Sequence, residues 1–379
     1  MRLVRILKWA GILLGGAVLL LAVLLGYWYL RPNQSFTAPS LDIQTWDAIM
    51  DGAHNSNTDL IDWQGAFYLV HASAPFHFAS EKTRLFIWKS TDAVHWEKTA
   101  EFNAAGQDIR DPKLAVIHNR LYLYALKNVE FTAEPYATVF SFSEDGLHWS
   151  AFKDIQPEGW LFWRPKSKDG ITWYVPAYWH EHGKSSLLTS TDGANWSTAA
   201  PIYEGDRNDE TDIEFLPDGR MICTARLEVS DNYFGDNRGS TLVGVASAPY
   251  DRWTHVKSQV TRLDGPNLFS YRGQVYAVGR YQPVPRPFPF ELGSILSRKR
   301  TSLFLVRENG LTYLSDLPSA GDTSYAGVVI RGDDLYISYY TSDIHRDVPW
   351  ILGMVGPSDI RMAKVNLPSL EELAQTRLR

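Results

Sequence analysis

The sequence predicts an all-β fold, a six-bladed β-propeller, preceded by one N-terminal membrane-spanning helix. Three observations lead there. Short runs rich in Val, Ile, Tyr, Phe and Trp alternate with turn residues along almost the whole chain. One hairpin-like pattern recurs at a spacing of about 50 residues, the length of a propeller blade. An uncharged stretch from Trp9 to Leu30 stands apart from everything that follows it.

The helix is read from length and flanks. Arg2, Arg5 and Lys8 precede the apolar stretch, and Arg31 and Pro32 end it. Trp9 to Leu30, at 1.5 Å per residue, spans roughly the 30 Å of a bilayer's hydrocarbon core. The stretch leaves through Gly26-Tyr27-Trp28-Tyr29, an aromatic belt rather than a small-residue cleavage site. The basic flank places the N-terminus in the cytoplasm and the remainder outside it. Residues 1–31 are therefore expected to be a stub and signal anchor, 32–45 a tether, and 46–379 the propeller.

Composition narrows the rest. The chain has 379 residues with 14 Trp, 19 Tyr, 27 Gly and 20 Pro, enough apolar area and enough turns for many short strands. A net charge of −6 without a basic stripe argues against nucleic acid as a partner. Cys223 is the lone cysteine, so no internal disulfide forms and a buried structural thiol is expected. Strand-like runs such as Ala66–Val70, Leu121–Tyr124, Gln274–Val278 and Asp334–Tyr340 place blades near 55–105, 108–155, 160–203, 208–258, 262–315 and 320–366. A closing strand from residues 42–50 would join the two ends of the ring. Leu370-Glu371-Glu372-Leu373 is helical in period.

The repeat has a physical sense. Ser90-Thr91-Asp92-Ala93-Val94-His95-Trp96, Ser143-Glu144-Asp145-Gly146-Leu147-His148-Trp149 and Ser190-Thr191-Asp192-Gly193-Ala194-Asn195-Trp196 share Ser-x-Asp-x-x-x-Trp. Weaker echoes lie at Ser247 to Trp253 and Arg307 to Tyr313. The Asp binds amides of its own turn, Gly supplies positive φ, and Trp packs beneath.

These hairpins resemble the Asp boxes (BNR repeats) of the sialidase superfamily, shortened by one residue and without the usual Gly in the first copy. A second resemblance concerns chemistry. Sialidases carry a Glu followed, across an inner strand and a hairpin, by an Arg, as in Glu210 to Arg226 here. They carry a Tyr before a Ser- or Gly-containing strand, with an Arg earlier in the chain. Gly321-Asp322-Thr323-Ser324-Tyr325-Ala326-Gly327 and Tyr276-Ala277-Val278-Gly279-Arg280 fit those segments. The resemblance implies Tyr325 as nucleophile, Glu210 as the carboxylate that draws off its proton, and Arg226 and Arg280 as clamps on a substrate carboxylate. The chain departs from the family in its first blade, where Asn57-Thr58-Asp59-Leu60-Ile61 stands in place of the Arg-Ile-Pro segment. Together with Asp108 to Leu114 and Gly265-Pro266-Asn267, this is more similar to a bacterial sialidase-like branch, and sialic acid is not inferred.

Inner strands of a propeller bring distant residues to one axial basin. The candidates round the ring are Asp59 with His71, Arg110 with Asp111, Arg164, Glu210 with Arg226, Asn267 with Arg280, and Asp322 with Tyr325. Buried unpaired charge is costly, so such groups pair with one another or serve a ligand. Tyr is neutral and approaches an anionic sugar without repulsion when a base takes its proton. Asp59 is the expected general acid, followed by Asp111 and then His71. Each has a plainer reading: Asp111 before Pro112 can cap a turn, Arg226 and Arg280 can tie blades, and Tyr325 can be a packed core phenol. Glu210 and Glu214 can share a strand face, Glu214 as an ion-pair partner. His180-Glu181-His182 shows no third ligand, so no metal or cofactor is expected. Pro283 to Pro289 predicts a long rim loop near substrate.

The expected function is a membrane-tethered, extracytoplasmic, retaining glycoside hydrolase on an acidic or highly oxygenated glycan. A non-catalytic carbohydrate-binding propeller, a polysaccharide lyase and an inverting glycosidase remain open as alternatives.

Overall fold

The computed structural model describes residues 2–129, 135–229, 239–283 and 293–378. Arg2–Leu30 forms one long helix whose residues from Val4 to Leu24 are exposed. It meets the length and composition of a membrane span from Val4 to Leu30, tests that a signal sequence also passes. The rest builds six antiparallel sheets, each one blade of a propeller.

Blade one holds strands His54–Trp63, Ala66–Ala74, Arg84–Ser90 and Glu97–Phe102. Blade two holds Asp108–Ile117, Arg120–Asn128, Ala137–Ser143 and the short Lys153–Asp154. In blade three the inner strand is split into Trp160–Phe162 and Lys166–Ser167, both paired with Trp173–Trp179, and Lys184–Ser190 and Ser197–Glu204 follow. Blade four runs Asn208–Phe215, Met221–Leu227, Ser240–Ala246 and Trp253–Ser258, and blade five Asp264–Tyr271, Gln274–Tyr281, Arg300–Arg307 and Gly310–Asp316. Blade six takes Thr323–Arg331, Asp334–Thr341 and Asp359–Asn366 from the C-terminal end and its outer strand, Ile43–Ile49, from the N-terminal end. The expected ring closure is therefore present, and it begins inside the segment read as tether.

The apolar core lies between blades, where alternate strand residues meet. Leu85, Ile87, Leu121 and Leu123 join blades one and two, and Val243, Leu268 and Phe304 join four and five. Leu367–Leu378, the helix expected at the C-terminus, packs Leu367, Leu370 and Leu373 onto blades five and six. Cys223 is buried, and burial pushes its thiol up to about 12, as a structural cysteine requires.

The Asp-centred hairpins join the third and fourth strands of blades one to three. In each, the Asp Oδ1 accepts two amides of its own turn, as Asp145 does from Leu147 and His148 at 2.8 Å each. Gly146 and Gly193 take φ of 77°, and Ala93 takes 62° in the first copy. A Cβ on Gly193 would meet Ile117 Cδ1 of the preceding blade at 2.7 Å. Sequence inspection missed a fourth copy, Ser167-Lys168-Asp169-Gly170-Ile171-Thr172-Trp173. It has the same bonding, with Asp169 Oδ1 accepting Ile171 N and Thr172 N at 2.8 Å each. It joins the first two strands of its blade, so it falls out of the spacing that reveals the others. The echo at Ser247 to Trp253 has Pro249 in place of the repeat's Asp: Tyr250 N donates to Ser247 O.

Candidate active site

Five inner strands carry a break in register near their starts: between Ser56 and Asp59, Arg110 and Lys113, Asn208 and Thr211, Asp264 and Asn267, and Ser324 and Gly327. A bulge re-aims the side chain it contains. The residues at these breaks include Asn57, Asp111, Glu210, Gly265 and Tyr325. Asn57, Asp111, Gly265 and Tyr325 take positive φ of 51°, 49°, 61° and 45°. Such backbone costs energy in a non-glycine residue and persists where the surroundings enforce it. Asn57, Asp111, Glu210 and Tyr325 all line one axial cavity of about 310 Å³.

On its wall the Tyr325 hydroxyl donates to Glu210 Oε1 at 2.5 Å. Glu210 Oε2 accepts the Gly265 amide at 2.7 Å, and Arg226 Nη1 lies 3.2 Å from Oε1. Gly265 is required there, because a Cβ would stand 2.7 Å from the Tyr325 ring. Burial raises the Glu210 carboxyl to about 7; Arg226 opposes the shift, and Asp209, Asp264 and Asp111 add to it. Burial and the adjacent Glu210 charge push the Tyr325 phenol well up, against Arg226 and Arg280.

Among the described residues, five arginines line the cavity: Arg110, Arg207, Arg226, Arg262 and Arg280. Aspartates behind the wall hold several of them. Arg110 Nε donates to Asp108 at 2.5 Å, and Arg226 makes a two-toothed contact with Asp209 at 2.8 and 2.5 Å. Arg262 donates to Asp264 at 2.9 Å, and Arg226 and Arg280 lie 3.7 and 3.5 Å from the same carboxylate. Arg280 also donates to Asp322, Tyr340 and the Thr323 carbonyl, with its guanidinium 5.0 Å over the Tyr325 ring. Held this way, the guanidiniums are fixed before any ligand arrives.

Asp322 does not line the cavity. It is a buried hub that accepts Trp350 Nε1 at 2.8 Å and meets His77 Nδ1 at 2.6 Å and His54 Nε2 at 3.2 Å. Burial alone would raise its pKa; His77, His54 and Arg280 outweigh that and hold it well below the usual carboxylate range. His77, Glu228, Arg262 and Trp350 border the cavity and were not singled out from sequence. Arg262 was detectable through the Arg262-Leu263-Asp264 alternation, whereas His77 and Trp350 sit outside strands and offer no periodic signal.

Besides Asp322, four expected residues do not reach the cavity. Asp59 is buried with Oδ2 accepting Leu114 N at 2.8 Å and Oδ1 accepting Arg164 Nε at 3.1 Å. Arg164 spends its other nitrogens on the Pro266 and Ala326 carbonyls, and Asn267 donates to Ala326 O as well. These three lace blades one, two, three, five and six together. His71 is a core histidine that accepts from Trp88 Nε1 at 3.0 Å; burial lowers it to about 4, so it stays neutral. A bulge separates Asp59 from Asn57, and it is Asn57 that faces the axis and donates to Asp111 Oδ1. Glu214 pairs with Lys166 at 3.3 Å, the plainer of its two readings.

Among the described residues, two side-chain groups have donor geometry suited to a cation: His54, His77 and Asp322, and His182, Asp209 and Glu228. The second supplies carboxylates near His182 that sequence did not reveal, while His180 packs on Trp179. In both groups an arginine, Arg280 or Arg226, already supplies counter-charge to the carboxylates. The Pro-rich rim stretch falls largely at 284–292, outside the described residues.

The fold is that of a sialidase-like, six-bladed β-propeller. The chain is similar to the phage phi92 endosialidase, with TM-score 0.62 and 11% identity over 86% of this chain and 69% of that one. It is similar to Trypanosoma rangeli sialidase, with TM-score 0.61 and 12% identity over 92% of this chain and 60% of that one. It is also similar to the GH93 alpha-L-arabinofuranosidase of Fusarium graminearum, with TM-score 0.56 and 13% identity over 89% of this chain and 98% of that one. No family model and no curated protein matches the sequence.

Proposed function

We propose that the chain is a membrane-anchored glycoside hydrolase that cleaves an acidic or oxygen-rich glycan through a tyrosine nucleophile. The observation that carries this reading is the 2.5 Å bond from the Tyr325 hydroxyl to a buried Glu210, both lining a cavity walled by pinned arginines. Glu210 takes the phenol proton as Tyr325 Oη bonds to the anomeric carbon. The glycosidic C–O bond breaks, and Asp111 gives its proton to the departing oxygen. Water then reverses the sequence, with Asp111 as base, and frees the sugar with its configuration kept. Asp111 takes the acid role because it faces the cavity, whereas both Asp59 oxygens are committed elsewhere. Arg226, Arg262 and Arg280 offer fixed donors to a sugar carboxylate.

A second reading has a specific motive. With Glu210 raised to about 7, it could itself serve as a general acid, Asp111 activating water, in an inverting enzyme. The helix is read as a retained anchor because docking begins inside it: Trp28 is buried, and Arg346 covers the Tyr29 ring at 3.9 Å.

A panel of acidic and neutral aryl glycosides tests the proposal, with the anomer of the first-formed product followed by NMR. Retention supports Tyr325 as nucleophile and inversion selects the second reading. No turnover on any glycoside, with tight binding of glycans, would leave a binding propeller.

A further inference from the structure

The helix and the cavity mouth share one face of the propeller. In a four-stranded antiparallel blade, the start of strand one, the end of strand two, the start of strand three and the end of strand four lie at one edge. Asn57, Asp111, Glu210 and Tyr325 sit near the starts of inner strands, so the cavity opens at that edge. The Asp-centred hairpins of blades one to three, between strands three and four, lie at the other.

The segment after the helix is fastened along the cavity edge. Asn33 Nδ2 and Ser35 Oγ each donate to Ser319 O at 3.0 Å, in the crossover from blade five to blade six. Phe36 N donates to Asp316 Oδ2 at 2.7 Å. Asp347 N donates to Arg31 O, and its carboxylate meets Arg31 at 3.7 Å. Arg298 and Arg300, from the matching segment of blade five, pair with the same Asp347. Three residues further on, Trp350 borders the cavity together with Ile351 and Met354. Three residues reach at most about 11 Å, so the docking point of the helix and the cavity wall are neighbours.

The bilayer must lie where the helix goes. Val4 to Leu24 are exposed, so that part of the helix leaves the propeller without packing on it. Phe36, Met50, Phe78 and Val355 are exposed on the cavity edge, at 50, 63, 44 and 58%. Headgroup layers are only about 5–8 Å deep on each side of the hydrocarbon. We infer that the cavity faces the membrane and takes the glycan headgroup of lipids in the leaflet on which the propeller sits. For its chemistry this rests on the hydrolase reading above; for its geometry it does not.

Two measurements on the full chain in phosphatidylethanolamine–phosphatidylglycerol vesicles test it. Cys223 is buried with its thiol pushed up to about 12, so a maleimide dye will label only an added surface cysteine. V355C, on the cavity edge, and L147C, on an Asp-centred hairpin, are both exposed positions. With a nitroxide on the lipid headgroup, the dye at 355 should be quenched at least about twofold more than the dye at 147, since blade length separates the two edges. Equal or reversed quenching overturns the inference. The second measurement presents the glycoside cleaved in the panel either free or on a dialkylglycerol in the same vesicles. Sharing a membrane raises effective concentration, and at least about tenfold faster cleavage of the lipid form is expected. Equal rates overturn the lipid-headgroup inference and leave the hydrolase standing. No cleavage of either form overturns the headgroup chemistry together with the hydrolase reading, and the orientation of the cavity then stands or falls on the quenching.

Discussion

Tyr325 of blade six and Glu210 of blade four share a hydrogen bond of 2.5 Å across the propeller axis, although 115 residues separate them. Neither side chain makes sense as packing alone. The phenol is buried among Trp163, Tyr340 and Arg280, yet it spends its hydroxyl on a carboxylate that already has the Gly265 amide and Arg226. Under the proposed chemistry, this pair is where the proton moves.

Y325F keeps the ring packing and removes the nucleophile. Activity on the panel should fall by about 10²–10⁴-fold, the range associated with losing a group that acts in the transition state. A fluorinated glycoside should add one sugar mass to the Tyr325 peptide of the parent chain and none to that of the variant. Labelling elsewhere would defeat the assignment.

Glu210 must be ionised to receive the phenol proton, and burial raises it to about 7. kcat/KM should therefore rise through about pH 7 and be lost as pH falls below it. Linkage has the opposite sense for stability: a raised folded-state pKa favours the fold at acidic pH and loses that contribution as pH rises through about 7. E210Q should abolish turnover, and its Tm at pH 8 should equal or exceed that of the parent. A clear drop in Tm would make Glu210 a structural group.

G265A should act through shape. The added Cβ meets the Tyr325 ring at 2.7 Å on a backbone with φ of 61°. Stability should fall by about 1–2 kcal/mol, the scale of alanine forced into positive φ, and activity by at least about tenfold as the ring is displaced. Calorimetry and the panel assay read the two effects separately.

D59A and D111A should part company. Removing Asp59 strands the buried Arg164 guanidinium, which costs about 3–5 kcal/mol and lowers Tm, while the folded fraction keeps its specific activity. D111A strands the Asn57 amide and should lower Tm less than D59A does, while it cuts kcat, least for substrates with activated leaving groups that need no acid. A loss of kcat in folded D59A would return the acid role to that residue.

Much of the architecture was legible because its causes are local. Each Asp-centred hairpin closes its hydrogen bonds within a few residues, as Asp92 does with Val94 and His95. The copy at Ser167 to Trp173 escaped notice because it sits on a different turn of its blade. The closing strand at Ile43–Ile49 was expected from ring closure, and the docking of residues 31–38 was not, since polar short-range sequence gives no sign of partners nearly 300 residues away.

The lining of the candidate site was legible at Tyr325, Glu210, Arg226 and Arg280, which a motif named, and at Arg110 and Asp111, read from the starts of inner strands. Asp59 and Asn57 show why the rest was hidden. Counting by two along a strand assigns faces, but a bulge of one residue exchanges them. It turned Asn57 to the axis and sent Asp59 into the wall with Arg164.

By itself, then, the chain's order of residues determined the blade repeat, the hairpin chemistry and an apolar helix of spanning length, all set by contacts near in sequence. The tertiary structure decided which acid faces the cavity, that Arg262 and His77 border it, and that helix and cavity share a face. Those depend on where the inner strands of separate blades converge, and convergence is a property of the closed ring rather than of any one segment.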